Sequence, residues 1–320
     1  MRKAKAVRKA LRFASMMSAR MLLKYLPSTR FFENGMMRFS QPGALNDPNE
    51  ARPQLSFGKY ASEDYAEASR KANEAGIHNL PKDRLEAFFL VPFPRRRYDE
   101  KSFPGLWPAM EPRLRAEPFH TLDEFDECVA RKAIELCRNF VDQNLGILSL
   151  SETNDEPMWA HYAANHTGIA IRFRRDHSFF ATEVQQVDYS ESPIFVSSND
   201  GWVRVGGIAI KNDDILNSKV DHAPRSLLLR KRTAWQYEKE CRLISPLSKA
   251  SRIIGPDSLG YPICLFEIPD DAIDSVVFGH RANDSTIARV RNAIHENNAW
   301  SYIKLWKRMD TMTGMIETPL

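Results

Sequence analysis

Apolar positions along the chain change spacing several times, and each change marks an element. Residues 147–151 form a short run with strand character, and after a polar break the spacing turns helical. Asn154 can cap that helix, with Asp155 and Glu156 in its first turn, and Gly168 suits its C-terminal end. On the helix Met158 and Tyr162 share a face, His161 and Asn165 share another, and Trp159 overlaps Tyr162. His166 completes this concentration of aromatic and polar side chains. Ile169, Ile171 and Phe173 then alternate with Ala170 and Arg172, the period of a strand.

The same reading extends in both directions. Thr121 and Glu124 make a capping box for a helix on which Phe125, Val129, Ala133, Leu136 and Phe140 trace an apolar stripe. Upstream, strands are expected at 22–25 and 36–40, with a short helix at 31–34 stopped by Gly35 and a polar turn over 41–49. A polar helix is read at 61–74, and the Pro- and Arg-rich stretch 91–118 is read as a long surface excursion. Downstream, the pattern predicts strands at 183–189 and 203–210 and a helix at 226–237 running into a strand at 240–244. Further strands follow at 263–268, 274–278 and 301–309, with a helix at 285–295 before the last. Strands and helices mix without a regular β–α rhythm. The expected fold class is therefore α+β, a mixed, largely antiparallel sheet with packed helices, in a single domain over 21–320 behind a leader at 1–20.

Composition agrees with a folded chain: at 320 residues, 43% hydrophobic and 27% charged, it can bury a substantial core. A net charge of +4 does not by itself argue for nucleic acid, but its distribution is uneven. Residues 1–32 hold many Lys and Arg and no Asp or Glu. Arg12 and Arg20 interrupt the apolar part of this leader, so it is a poor secretory signal and no transmembrane segment is expected. It reads either as an amphipathic basic helix able to touch RNA, anionic lipid or an acidic partner, or as a solvated, frayed terminus. Cys128, Cys137, Cys241 and Cys264 show no C-x-x-C pairing and suit reduced thiols, which with the absence of a secretory context gives a cytoplasmic expectation. His161 and His166 are five apart and point away from each other on a helix, and no H-E-x-x-H motif occurs, so no metal is expected. The chain also lacks a glycine-rich phosphate loop and a G-x-S-x-G elbow, which argues against P-loop, kinase-like and serine-hydrolase chemistry.

Candidate chemistry gathers at residues 236–242. Gln236, Glu238 and Glu240 are spaced by two, so on extended backbone they share a face, and Glu238 and Glu240 can approach each other at a strand start. Two close carboxylates repel, which raises the pKa of one and lets an acid and a base coexist. Arg242 falls on the same face, and the plainer reading is that it neutralises Glu240 in a sheet-surface ion pair. Likewise Trp159 and Tyr162 read as core aromatics unless a site claims them.

Three separated segments together carry a family resemblance. They are Lys24-Tyr25 with Asn46-Asp47-Pro48, then Ser149-Leu150-Ser151 followed by Met158-Trp159-Ala160-His161-Tyr162 and Gly168, then Trp235-Gln236-Tyr237-Glu238-Lys239-Glu240-Cys241-Arg242. From about residue 22 to 279 the chain resembles the bacterial domain-of-unknown-function family 2971, to which no general activity is assigned. More distantly, the serine strand followed by paired acids resembles the ADP-ribosyltransferase superfamily. That resemblance implies NAD as co-substrate, with Glu240 as the glutamate that holds the nicotinamide ribose and stabilises the cation formed as nicotinamide leaves. Glu238 would direct the acceptor, and Lys24 or Tyr25 would take the place of the first polar strand residue, where the superfamily usually has Arg or His. It further implies Ser149 and Ser151 as the serine strand, Tyr162 or Trp159 stacked on nicotinamide and His161 bonded to a ribose hydroxyl or phosphate. Arg172, with Arg174 and Arg175, would contact the pyrophosphate, and Asn46 and Asp47 would complete the cofactor side. The acceptor would be a nucleic acid or a protein, and the biological setting a toxin or defence effector with an antitoxin.

Two readings of other classes stand beside it. One is a nucleic-acid-binding or nucleic-acid-cleaving protein, using the leader, Arg95–Arg97, Arg174-Arg175 and Arg230-Lys231-Arg232, with Asp47, Glu238 and Glu240 converging. The other is a non-enzymatic interaction module in which His161, Tyr162 and the turn at 46–48 are a polar structural network.

Overall fold

Leu22, Leu23 and Tyr25 are all buried within a six-residue strand, which requires a sheet covered on both faces. The computed structural model describes residues 21–45, 54–57, 122–181, 183–199, 202–311 and 314–320. The leader, Asn46, Asp47 and Pro48, the helix expected at 61–74, the excursion at 91–118 and Thr121 lie outside the described residues.

In chain order the elements begin with β1 (Met21–Leu26), α1 (Phe31–Asn34), β2 (Met36–Phe39), β3 (Leu55–Phe57), α2 (Leu122–Asn144), β4 (Leu145–Ser151), α3 (Glu156–Tyr162) and β5 (Ile169–Arg174). Then come α4 (Ser178–Ala181), β6 (Val184–Gln186), β7 (Asp188–Tyr189), β8 (Ile194–Asn199), β9 (Trp202–Val205), β10 (Ile208–Lys211), α5 (Asn212–Leu216) and α6 (Ser226–Leu229). The last are β11 (Arg230–Lys231), β12 (Glu240–Pro246), β13 (Arg252–Pro256), β14 (Pro262–Glu267), β15 (Ile273–Phe278), α7 (Asp284–Glu296), β16 (Lys304–Thr311) and β17 (Gly314–Pro319). This is an α+β fold. Contacts divide it into two units, one made of the described residues of Met1–Asn46, Asn144–Ser190 and Leu229–Leu320, the other of those of Asp47–Gln143 and Glu191–Leu228.

The first unit holds an eight-stranded sheet in the order β17-β16-β15-β5-β1-β4-β12-β6, antiparallel except where β15 and β16 run parallel. Alternation sends neighbouring residues to opposite faces. Leu22, Ile169, Ile171 and Phe173 join one cluster with Phe31, Phe32, Ile287 and Trp300. Leu23, Tyr25, Ala170 and Val277 face the other way and are covered by Met158, Trp159 and Ala163 from α3 and the turn after it. Trp159 is fully buried, edge-on to Tyr25 with ring centroids 5.2 Å apart, and the Arg308 guanidinium lies 5.0 Å over its ring. Smaller sheets, β13-β14-β2 and the parallel pair β11-β7, complete this unit.

The second unit packs α2 with the sheet β10-β9-β8-β3. Its buried stripe is Val129, Ala130, Ala133, Ile134, Cys137 and Val141, which keeps the expected Val129 and Ala133 and corrects the expected Leu136 and Phe140. Leu136 and Phe140 are only half-buried, because the face that meets Val196, Val203 and Val205 is rotated towards Ile134 and Cys137. The strand expected across 203–210 is a hairpin, turned by Gly206 and Gly207 at φ 52° and 89° between β9 and β10.

Three expectations for the first unit are also corrected. Asn154 does not cap α3: its Oδ1 accepts from Trp159 Nε1 at 2.8 Å and its amide donates to Glu317 at 2.7 Å, so its polarity satisfies the buried indole. Asp155 occupies the cap position instead, with no side-chain cap bond. The helix ends at Tyr162, and Ala164, Asn165 and His166 are left-handed at φ 47°, 52° and 68°, so His161 and Asn165 do not share a helix face. Gly168 is needed further on, where a Cβ would sit 2.2 Å from the Leu26 carbonyl oxygen. Finally, α6 stops at Leu229 and the chain turns through β11 into a 3-10 segment, Thr233–Glu238, rather than one helix to Tyr237.

Candidate functional site

The sheet register brings the serine strand and the acidic strand together. On β4 and β12, Ser151 lies opposite Glu240 and Ser149 opposite Arg242, and Leu23 of β1 pairs with Ser151 on its other side. Paired residues share a face, so both serines, Glu240 and Arg242 stand on the side covered by α3. Lys239 takes a left-handed conformation at φ 43°, which turns the chain from the 3-10 segment into β12. Gln236, Glu238 and Glu240 therefore do not lie along one extended face, and Gln236 is exposed.

Glu238 and Glu240 nevertheless meet, through a residue the sequence did not single out. Lys231 Nζ donates to Glu238 Oε2 at 2.6 Å and to Glu240 Oε2 at 2.9 Å, and all three side chains are at most 4% exposed. Arg242, wholly buried, adds Nε to Glu240 Oε1 at 2.8 Å and Nη2 to Oε2 at 3.2 Å. The expected surface ion pair is thus an interior network of two carboxylates and two cations. Burial alone would raise the Glu240 carboxyl, but Arg242 and Lys231, with hydrogen bonds from Arg242 and Ser149, hold it at about 2. Glu240 is accordingly a fixed negative charge at neutral pH and holds no proton to give.

Around this pair the hydroxyls are directed. Tyr162 donates to Glu238 Oε1 at 2.5 Å, Ser151 donates to the Glu238 carbonyl at 2.6 Å, and the Glu240 amide donates to Tyr189 Oη at 2.7 Å. Burial pushes the Tyr189 phenol up to about 12. Tyr25 donates to the Thr153 carbonyl at 2.7 Å, and burial raises its phenol as well. Lys24 alternates with Tyr25 onto the face of Leu22, and its ammonium donates to the Ser149 carbonyl at 3.0 Å.

Above the carboxylates is an aromatic rim. His161 is exposed and Tyr162, Trp235 and Tyr237 are half-buried. Ring centroids lie 6.3 Å apart for His161 and Tyr162, 6.4 Å for His161 and Tyr237, and 6.1 Å for Trp235 and Tyr237. Lys231 Nζ sits 5.4 Å from the Trp235 ring centroid, on the inner side.

The other expected residues stand apart from this group. Trp159 is in the core beneath Tyr25 and Arg308. Arg172 is engaged by Glu317 at 2.6 and 2.7 Å. Arg174 covers the Tyr302 ring, Arg175 pairs with Glu152, and Arg230 bonds Asp188 at 3.0 Å, so these basic runs are largely committed internally. Lys231 and Tyr189 carried no pattern of their own: Lys231 read as the middle of a basic run, and its burial follows only from the chain leaving α6 to pair with β7.

Comparison with known proteins adds a boundary to this geometry. Residues 158–243 match the family model described as Protein of unknown function (DUF2971). The resemblance to that family read from the sequence therefore holds over this stretch. It contains Trp159, His161, Tyr162, Lys231, Glu238, Glu240 and Arg242, and leaves Lys24, Tyr25, Ser149 and Ser151 outside. No curated protein and no solved structure matches the chain. Among the described residues no group of three or more His, Cys, Asp or Glu is arranged to hold a metal ion, and no helix is long and apolar enough to cross a membrane.

Proposed function

We propose that the protein binds and cleaves NAD in the manner of an ADP-ribosyltransferase, at the Glu238–Glu240 pair beneath the aromatic rim. The observation that carries this reading is the Tyr162–Glu238 hydrogen bond, which sets a carboxylate at the foot of His161, Tyr162, Trp235 and Tyr237. Half-exposed rings of this kind suit stacking on nicotinamide, and a carboxylate beside them suits a ribose hydroxyl. Arg232 and Lys239, exposed at the two ends of the 3-10 segment, are cations able to neutralise a pyrophosphate. Glu240, held ionised by Lys231 and Arg242, supplies fixed negative charge opposite the positive charge that develops as nicotinamide leaves. Such a preorganised charge is worth about 3 kcal/mol, roughly a hundredfold in rate. For the bond to Glu238 to reach a substrate hydroxyl, Tyr162 yields its own, an exchange of like for like. The acceptor is a nucleic acid or a protein, and a toxin or defence role with an antitoxin fits an enzyme of this class.

Calorimetric titration of NAD into the full chain, the Tyr237→Ala variant and the Trp235→Ala variant tests the binding half. Binding to the wild type that weakens at least about tenfold in either variant supports the rim as the nicotinamide platform. Absence of heat and of thermal stabilisation in the wild type removes it.

A second reading, a non-enzymatic interaction module, is favoured by one observation. Both oxygens of Glu240 are already bonded to Arg242 and Lys231 in the interior, which is how a structural charge network is built. It requires indifference to NAD in the same titration.

A further inference from the structure

His166 and His280 form a second cluster of titratable groups, in the same unit as the carboxylates and separate from them. His166 is left-handed and only 9% exposed, and its imidazole lies 4.6 Å from that of His280, tilted by 51°. The Nδ1 atoms of both rings are buried and neither has a hydrogen-bond partner. The backbone there is tight: the His166 carbonyl accepts from the Arg281 amide at 3.1 Å, and a Cβ on Gly279 would come within 2.0 Å of the same oxygen. The His166 backbone is therefore fixed to the segment after β15 at this junction.

The charges facing the pair are mostly positive. Arg308 comes from β16 and Arg281 from the segment after β15. Among the described residues the carboxylate facing the pair is Glu156 of α3, whose Oε2 lies 3.6 Å from His166 Nδ1. Its other oxygen already accepts from Arg308, which is 4% exposed. A neutral His166 imidazole fits this site. A proton on His166 sets a cation beside the His280 ring and two guanidiniums, with the carboxylate of Glu156, shared with Arg308, in compensation. Burial, then His280, lowers the His166 pKa, Glu156 pulls the other way, and Arg308 and Arg281 add to the lowering.

We infer that the His166–His280 contact is an acid-sensitive latch, which holds the turn after α3 closed while His166 is neutral and opens it when His166 takes up a proton. The helix it secures carries Tyr162, so opening draws the phenol away from Glu238. Because His166 prefers to be neutral in the folded state, the latch contributes stability above the ordinary histidine range and loses it as pH falls through and below that range. The inference is independent of NAD cleavage.

Amide hydrogen exchange across residues 156–168 and histidine NMR, followed together from about pH 8 to about pH 5, test it. In the wild type, protection of these amides drops about tenfold beyond the intrinsic pH trend, in step with titration of His166. His280→Gln alters the step by taking away the ring that faces His166 at 4.6 Å. His166→Asn, which keeps a residue tolerant of the left-handed conformation, removes it. Unchanged protection over this range in the wild type, or an unaltered step in both variants, overturns the latch.

Discussion

Tyr162 donates its phenolic hydrogen to Glu238 Oε1 at 2.5 Å, across 76 positions of sequence. The bond joins the end of α3 to the end of the 3-10 segment, both within the residues that the family model matches. Glu238 completes its coordination through Lys231, which also holds Glu240, so one half-buried hydroxyl links the aromatic rim to an interior charge network.

Replacing that hydroxyl tests the link. Tyr162→Phe keeps the ring and removes a hydrogen bond to a charged group, which costs about 1.5–3 kcal/mol in denaturant unfolding. A change below about 0.5 kcal/mol would mean that water serves Glu238 as well as Tyr162 does.

Lys231 is the cation the two carboxylates share. Lys231→Met leaves Glu238 and Glu240 facing each other in the interior with only Arg242 in compensation, and is expected to destabilise by about 3–5 kcal/mol. Adding Glu238→Gln to Lys231→Met removes the uncompensated charge and recovers part of the loss. A double-mutant cycle that shows simple additivity contradicts the shared bridge.

Acid titration addresses Glu240. Its carboxyl is lowered from 4.5 to about 2, so the folded state favours the ionised form. The associated stability, about 3 kcal/mol, is fully present above the unfolded value and is lost as pH falls from about 4.5 through about 2. Glu240→Gln flattens this part of the stability curve and lowers stability at neutral pH, since Arg242 loses its two charged hydrogen bonds to this carboxylate. An unchanged acid limb in Glu240→Gln places the titrating group elsewhere.

Gly168→Ala probes the turn. The added Cβ meets the carbonyl of Leu26 at 2.2 Å and that of Ala163 at 3.0 Å, backbone atoms that cannot rotate aside. Overpacking of this kind costs about 3 kcal/mol, read in thermal or denaturant unfolding. A neutral substitution would show that the turn is looser than the close contact requires.

Much of the first unit was legible because its signals are local. The strand at β1, the stop at Gly35 with φ 69°, the strand at β12 and the helix α7 follow from periodicity and caps over a few residues. What escaped depends on distant partners. Asn154 has the chemistry of a helix cap, but the buried indole of Trp159 and the carboxylate of Glu317 claim it. The apolar residues after Ser226 continue a helical pattern, yet pairing of Arg230 and Lys231 with Asp188 and Tyr189 ends the helix at Leu229. The edge strands β13 and β17 went unread because their apolar residues do not mark a buried face: every position of β13 is exposed, and in β17 Ile316 is exposed while Glu317 and Thr318 are half-buried. In the site, Glu238 and Glu240 were visible as a spaced pair, while Lys231 was hidden because nothing in a basic run distinguishes a lysine that turns inward.

The measurement that bears most directly on the proposed activity is nicotinamide release from NAD by the full chain, with total RNA, DNA and protein offered as acceptors, beside Glu238→Gln. This variant keeps Lys231 paired with Glu240, so it loses a site charge with less structural cost than Glu240→Gln. Release by the wild type that falls at least about tenfold in folded Glu238→Gln, as expected for a lost hydrogen bond from a ribose hydroxyl to a charged group, is the expected result. No release by the folded wild type with any acceptor, or equal release by the variant, contradicts catalysis at this carboxylate pair.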